Sequence, residues 1–354
     1  RSPVEDVDSA VIAKLRADGR YEAHRDFAPI AEAEIVLIAV PSPLTSDREP
    51  DLTYIVTAAT EVAKHISPGT LVILESTVYP GVTRSVLAPL LAEVSGLNPE
   101  QIDVAYSPER IDPTNKRWTL TNTPKLVSGL TEQSTARTAD FYRTFIDEVV
   151  MVATPEVAET AKLLENTFRF VNISLINEVA GFCHQAGIPI IDVIDAAATK
   201  PFGYLPFTPS AGVGGHCIPV APHFLSYAAR MHGVNSQFIE LADEINRELP
   251  TQIVRRAEAL LGGPLSGKTV LVIGVAYKPN IADTRETAAA PLIDALRARG
   301  AVVSWHDEHV SEWRDEKSEP IDTSYDLAIL VTPHANVDLS KLGRTPVLDT
   351  TWRT

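Results

Sequence analysis

The sequence has 354 residues, 45% apolar and 22% charged, with 31 Lys and Arg against 46 Asp and Glu for a net charge of −15. A chain this apolar does not stay disordered, and at about 150 residues per domain it holds two or three domains. An acidic chain without a basic run is a poor partner for nucleic acid or anionic lipid, and no apolar segment reaches the roughly 18 residues of a membrane span.

Short aliphatic runs recur through residues 1–153: Ile35-Val36-Leu37-Ile38-Ala39-Val40, Leu71-Val72-Ile73-Leu74, Val104-Ala105-Tyr106 and Val149-Val150-Met151-Val152. Runs without polar alternation mark strands buried on both faces, as in a parallel sheet flanked by helices. Between the first two, residues 52–66 carry apolar side chains at helical spacing. The pattern predicts a doubly wound α/β domain. Apolar residues then fall at 157, 161, 164, 168, 171, 175, 179 and 182, which predicts a helix roughly 40 Å long. Such a helix can link two domains or carry a subunit interface, and Gly187 and Pro189 end it. Residues 199–222 hold five prolines and four glycines, a loop composition within a central segment, 154–250. From Thr269-Val270-Leu271-Val272-Ile273 the alternation resumes. A helix over 289–299 closed by Gly300, then runs at 302–305, 327–331 and 347–348, predict a second α/β domain over 251–354.

The two cysteines, Cys183 and Cys217, are too few for a disulfide framework or an all-cysteine zinc site. Both are expected to be thiols in a reducing, cytoplasmic compartment, with no metal bound. The chain opens Arg1-Ser2-Pro3 without a secretion signal and without Met, so its natural beginning is expected to lie outside this sequence.

One motif is set aside. Residues 262–269 read Gly-Gly-Pro-Leu-Ser-Gly-Lys-Thr, a match to the phosphate-binding pattern G-x-x-x-x-G-K-[ST]. That loop works with a strand before it and a helix behind it, whereas here a helix precedes and a strand follows. A helix-to-strand turn is expected.

Gly212-Val213-Gly214-Gly215-His216-Cys217-Ile218-Pro219 is the most informative stretch. Its glycines remove side chains where something approaches the backbone, and a helix starting near Pro219 would favour the Cys217 thiolate. Cys217 is thus a candidate nucleophile, with a buried structural thiol as the other reading; Cys183, on the apolar side of a helix, is assigned to packing. His216 is read as solvated or oriented by backbone. On the long helix Lys162, Asn166 and Arg169 form one polar stripe, either a solvated face or a Lys and Asn aimed at a bound hydroxyl. Val40-Pro41-Ser42-Pro43 and Glu75-Ser76-Thr77 each close a parallel strand, the edge at which open α/β sheets bind ligands, unless they serve only as turns.

Taken in order, Val40-Pro41-Ser42-Pro43, Glu75-Ser76-Thr77-Val78, Ser107-Pro108-Glu109-Arg110, Lys162-Leu163-Leu164-Glu165-Asn166, the Gly212 to Pro219 stretch, and Ala276-Tyr277-Lys278-Pro279 with Asp283-Thr284-Arg285-Glu286 resemble the UDP-glucose/GDP-mannose dehydrogenase family. The resemblance runs almost end to end. It implies two Rossmann-like doubly wound domains joined by a long central helix: an NAD-binding domain over 1–153, a central dimerisation domain over 154–250 and a UDP-sugar-binding domain over 251–354. Ser107-Pro108-Glu109-Arg110-Ile111-Asp112-Pro113 and Pro201-Phe202-Gly203-Tyr204-Leu205-Pro206-Phe207 resemble the branch that oxidises UDP-N-acetylhexosamines, UDP-N-acetylglucosamine above all. UDP-glucose and UDP-N-acetylmannosamine are the alternatives.

The implied reaction takes the C6 alcohol to a carboxylate through a thiohemiacetal and a thioester on Cys217, with two NAD reduced. By the same resemblance Lys162 balances the oxyanion, Asn166 holds the sugar or a water, Thr77 positions water and Glu109 is the base for thioester hydrolysis. Val40, Pro41, Ser42, Ser76, Thr77 and Arg285 are implied in NAD binding. Lys162, Asn166, Tyr204, Phe207, Gly214 and Lys278 are implied in UDP-sugar binding, and the long helix in a homodimer. Two departures stand out. No G-x-G-x-x-G occurs in this sequence, so the first strand of the NAD domain and its glycine-rich turn are expected outside it. The family's Cys-Ile-Pro-x-Asp-Pro reads Cys217-Ile218-Pro219-Val220-Ala221-Pro222 here. Loss of that carboxylate implies reduced activity, another base, or a silent UDP-sugar-binding homologue.

Overall fold

The computed structural model describes residues 7–112 and 115–353. Pro113, which closes the Ser107 to Pro113 stretch, lies outside the described residues. The chain parts into two compact units between Leu164 and Glu165.

The first unit opens with α1 (Ser9–Ala17), which buries no residue. It continues with β1 (Ile35–Ile38), α2 (Thr53–Ala63), β2 (Leu71–Leu74), α3 (Ala88–Ser95), β3 (Asp103–Tyr106), β4 (Lys125–Gly129), α4 (Glu132–Arg143) and β5 (Val149–Met151). One sheet results, ordered β1-β2-β3-β4-β5. All four residues of β2 are fully buried, as an aliphatic run in a covered parallel sheet must be. Because side chains alternate, Val72, Leu74 and Val104 pack with Ile55, Ala59 and Leu91 on one face. On the other, Leu71, Ile73 and Ala105 meet Ala139, Tyr142 and Ile146.

The parallel expectation holds for β1, β2 and β3 but not beyond. β4 runs antiparallel to β3, with Tyr106 opposite Ser128, and parallel to β5. Lys125-Leu126-Val127-Ser128-Gly129 has only two aliphatic residues, so a search for apolar runs passes over it. At the other edge, among the described residues no strand pairs with the outer side of β1, and Leu37 is exposed there.

α5 (Pro155–Ala186) is the long helix, 32 residues ending at Gly187 with φ +68°. Its apolar seam is not buried in the chain: Val157, Leu164, Phe168, Leu175 and Phe182 are all exposed. At 100° per residue they share one stripe, and the buried residues, Ala158, Leu163, Phe170, Ala180 and Cys183 among them, lie off it.

The second unit continues with α6 (Ile190–Ala198), α7 (Ala221–Met231), α8 (Gln237–Leu261), β6 (Thr269–Ile273), α9 (Ala289–Ala298), β7 (Val302–His306), the short pair β8 (Glu312–Trp313) and β9 (Glu316–Lys317), β10 (Leu327–Leu330) and β11 (Val347–Asp349). Its main sheet is parallel throughout, ordered β11-β10-β6-β7. Residues 262–268 join α8 to β6 as the sequence predicts. Gly262 caps the helix at φ +68°, and Lys268 pairs with Asp326 at 3.1 Å.

Candidate functional site

In the first unit, three parallel strands end beside one another. Val40, Pro41 and Ser42 follow β1, Ser76 and Thr77 follow β2, and Glu109 follows β3. The Ser76 hydroxyl accepts from the Val40 N–H and donates to the Val40 carbonyl, each at 2.8 Å. Ser42 Oγ is buried with no hydrogen-bond partner, as is the phenol of Tyr106; burial pushes that phenol up, and the nearby Glu159 and Glu75 add to it. Orphaned buried hydroxyls are rare, and at a ligand-binding sheet edge they suit a polar ligand such as a dinucleotide. Glu159 of α5 accepts from the N–H groups of Gly81 (2.6 Å) and Thr83 (3.0 Å) and from Thr83 Oγ1 (2.6 Å). It thereby fixes the turn that follows Thr77. Burial raises this carboxyl, and the hydrogen bonds only partly offset the shift.

β4 adds a cluster absent from the sequence reading. Lys125 Nζ lies 2.9 Å from Glu75 and 3.1 Å from Glu109, and its ammonium sits over the Tyr142 ring at 5.0 Å. Tyr142 donates its hydroxyl to Glu75 at 2.5 Å. Burial, with the Glu75 charge and hydrogen bond, pushes that phenol up.

In the second unit Cys217 is exposed and Cys183 buried. Cys183 packs with Ala180, Ile190 and Ile194, the assigned structural role. The Cys217 carbonyl accepts from the N–H of Ala221 at 3.0 Å. Cys217 therefore lies in the turn leading into α7, two residues later than the predicted helix start. The glycines before it do what close approach requires. A Cβ on Gly215, at φ +89°, would stand 2.9 Å from the Tyr277 ring; one on Gly214 would stand 3.0 Å from Tyr277 Cβ. His216 is exposed, its ring edge-on to Tyr277 at 6.4 Å.

Residues 199–220 form a loop, two residues shorter than the predicted 199–222 because α7 takes up Ala221 and Pro222. Asn177 Oδ1 accepts from the Ser210 N–H at 2.8 Å and Asn246 Oδ1 from the Val213 N–H at 2.7 Å. These two anchors, on α5 and α8, look like ordinary helix-surface amides in the sequence. Phe207 sits edge-on to Phe168 at 5.9 Å, and Tyr204 is exposed. Lys278 is half-buried. Arg285 folds back onto Asp283 with Nε 3.0 Å from both carboxylate oxygens. Burial raises Asp283, but these bonds outweigh it and hold the carboxyl below its ordinary value.

The polar stripe on α5 is solvated at one end and buried at Asn166. Lys162 is half-buried and Arg169 exposed, but Asn166 is buried with Nδ2 lacking any partner. Among the described residues no cluster of His, Cys, Asp and Glu could hold a metal, and no helix is long and apolar enough to cross a membrane.

Residues 2–146, 156–248 and 271–350 match the NAD binding domain, the central domain and the UDP binding domain of the UDP-glucose/GDP-mannose dehydrogenase family. The chain belongs to this family. Its cofactor is NAD. It is 33% identical over 351 residues to UDP-N-acetyl-D-glucosamine 6-dehydrogenase of Pseudomonas aeruginosa, covering 94% of this chain and 82% of that one. To UDP-N-acetyl-D-mannosamine dehydrogenase of Pyrococcus horikoshii it is 33% identical over 329 residues, 91% of this chain and 75% of the relative. The solved structure of the UDP-D-ManNAc dehydrogenase from Pyrococcus horikoshii superposes with a TM-score of 0.89 at 27% identity, covering 98% of this chain and 85% of that one. The doubly wound architecture and the family expected from the ordered motifs are both borne out.

Proposed function

We propose that the chain is a UDP-sugar 6-dehydrogenase that oxidises the C6 alcohol of a UDP-N-acetylhexosamine, UDP-N-acetylglucosamine in preference to others, to the uronate. One observation carries the reading: an exposed thiol in a glycine-lined turn at a helix start, while the second thiol is packed away. The C6 alcohol first loses a hydride and a proton to give the aldehyde; Cys217 then adds to that aldehyde, and the resulting alkoxide takes a proton to give a thiohemiacetal. Loss of hydride and proton leaves a thioester. Water then attacks the acyl carbon, its proton passes to Glu109, and the Cys217 thiolate leaves. NAD, when bound, accepts the two hydrides. Val40, Pro41, Ser42, Ser76, Thr77 and Arg285 would hold it, with Ser42 Oγ as the unpaired donor. Lys162 balances the alkoxide charge. The unpaired Nδ2 of Asn166 is offered to a sugar hydroxyl or a water, Thr77 orders water, and Tyr204, Phe207, Gly214 and Lys278 receive the nucleotide sugar.

The division into 1–153, 154–250 and 251–354 belongs to this reading. So does a homodimer along α5, since five exposed apolar residues on one stripe form the kind of patch that marks an interaction surface. Acidic charge and two unbridged thiols fit a cytoplasmic setting. A second reading rests on Ala221 in place of the family Asp: a UDP-sugar-binding homologue without chemistry. UDP-N-acetylglucosamine, UDP-N-acetylmannosamine and UDP-glucose, each incubated with NAD and assayed for NADH, test both. Turnover that is fastest with UDP-N-acetylglucosamine and stops on alkylation of Cys217 supports the first. Binding of all three without NADH supports the second.

A further inference from the structure

Lys125 is a charged residue whose side chain is only 5% exposed. Burying an ammonium is costly unless it is paired, so its partners report what it is for. The register that sets Tyr106 opposite Ser128, carried three residues further, sets Glu109 opposite Lys125. An antiparallel strand thus delivers its first residue to the edge where β2 and β3 end. The three N–H groups of Lys125 have three destinations: Glu75, Glu109 and the face of Tyr142. Glu75, itself held by Tyr142, already neutralises the ammonium. The second carboxylate is not needed for charge balance.

Glu109 is fixed on both oxygens. Oε1 accepts from the N–H groups of Arg110 and Ile111, each at 2.6 Å, and Oε2 from Lys125 at 3.1 Å. A carboxylate has about four acceptor sites, so three are taken and one, on Oε2, is left with a defined direction. Side-chain exposure rises from 5% at Lys125 to 16% at Glu75 and 44% at Glu109. The cluster is anchored inside and open at Glu109.

We propose that Lys125, backed by Glu75 and Tyr142, is a positioning residue that fixes the orientation of the Glu109 carboxylate for its work as the hydrolytic base. This rests on the dehydrogenase reading and on Glu109 as the hydrolytic base. Lys125 acts on the last step alone. The two oxidations, which release two NADH per chain, do not need it.

Rapid mixing of the full chain with UDP-N-acetylglucosamine and NAD, with intact-mass detection of acylated Cys217, tests this. Lys125→Met is expected to keep a burst of two NADH per chain, then to turn over about 10²-fold more slowly with the acyl adduct accumulating, the scale of loss that misplacing a catalytic group brings. Lys125→Arg is expected to restore turnover without the adduct. Glu109→Gln is the calibrating variant and should accumulate the same adduct. If Glu109→Gln accumulates it and Lys125→Met slows burst and steady state equally, Lys125 is merely structural and the proposal is overturned. If Glu109→Gln accumulates none, the Glu109 reading itself falls. Where Lys125→Met does not fold, Tyr142→Phe, which leaves every charge paired, carries the test: a longer-lived adduct supports the proposal and an unchanged lifetime overturns it. The same series in an Ala221→Asp background covers a slow parent chain; no NADH in either background removes the dehydrogenase reading and this assignment with it.

Discussion

Ser76 clasps Val40, the second residue after β1, from both sides, accepting the Val40 N–H and donating to the Val40 carbonyl at 2.8 Å each. One hydroxyl therefore sets the path of the Val40-Pro41-Ser42 turn from the neighbouring strand. Ser76→Ala leaves both Val40 groups without that partner. It is expected to cost about 1–2 kcal/mol of stability and to raise the KM for NAD severalfold while the KM for the UDP-sugar stays put. Equal changes in both KM values would count against a cofactor-side role for this turn.

Gly215 has φ +89°, and an added Cβ would press on the Tyr277 ring at 2.9 Å. Gly215→Ala meets two separate penalties, a left-handed backbone costing about 1–2 kcal/mol and a clash with an aromatic ring. Turnover is expected to fall at least tenfold, with UDP-sugar affinity weakened in calorimetry. The double variant Gly215→Ala, Tyr277→Ala removes the clash but not the strain, so partial recovery is expected. Full activity in the single variant would show that the turn has room to spare.

How much of this was legible beforehand follows from the kind of signal each part leaves. β2 and β6 announce themselves as Leu71-Val72-Ile73-Leu74 and Val270-Leu271-Val272-Ile273, because a strand covered on both faces must be apolar throughout. The loop around Cys217 is visible in its glycines and prolines. β4 is not, since Lys125 and Ser128 interrupt it, and with it went the Lys125 cluster, whose members are 67 residues apart at the extremes. Pairings across that separation leave no periodicity. Asn177 and Asn246 were hidden for the same reason, as helix residues whose importance lies in the loop they hold. The α5 seam was legible as apolar, yet periodicity could not say whether the chain itself or something else would cover it.

Leu175 and Phe182 lie on that exposed stripe, 52% and 65% accessible. Leu175→Asp and Phe182→Asp together place two charges on it and disturb nothing buried. Light scattering after size exclusion is expected to show the parent chain as a dimer and the double variant as a monomer. A parent chain that elutes as a monomer at all concentrations sinks the dimer.

Asp307 carries an acid-sensitive part of the second unit. Its Oδ2 accepts from the N–H groups of Val275 (2.7 Å) and Ala276 (3.0 Å) and lies 3.0 Å from His334 Nε2. Oδ1 accepts from His309 and Val310. His334 Nδ1 in turn accepts from the Asn280 N–H at 2.9 Å, so the ring proton belongs on Nε2. Burial raises the carboxyl, but the bonds from His334, His309 and Ala276 outweigh it and hold it at about 2, against an ordinary 3.8. An acid with a depressed folded-state pKa stabilises the fold above its unfolded value, and that contribution fades as pH falls from about 4 towards 2. The amount is about 2 kcal/mol. Asp307→Asn is expected to lower stability by roughly that much at pH 6, with the gap to the parent closing by pH 2–3, read from denaturant unfolding by tryptophan fluorescence. A gap constant with pH would contradict the assignment.

Ala221 begins α7, is 1% exposed, and donates its N–H to the carbonyl of Cys217. A carboxylate in the first turn of a helix is favoured by the helix dipole, so Asp at this position suits the helix even though the site is buried. If the family Asp assists proton transfer at the reacting alcohol, restoring it by Ala221→Asp should raise kcat about 10²–10⁴-fold, the usual worth of general acid–base help, with the KM for the UDP-sugar little changed. Ala221→Asn has the same size without the base and should gain nothing. A gain in both variants would point to packing beside Cys217 instead, and a gain in neither would mean that proton transfer in this chain runs through another group.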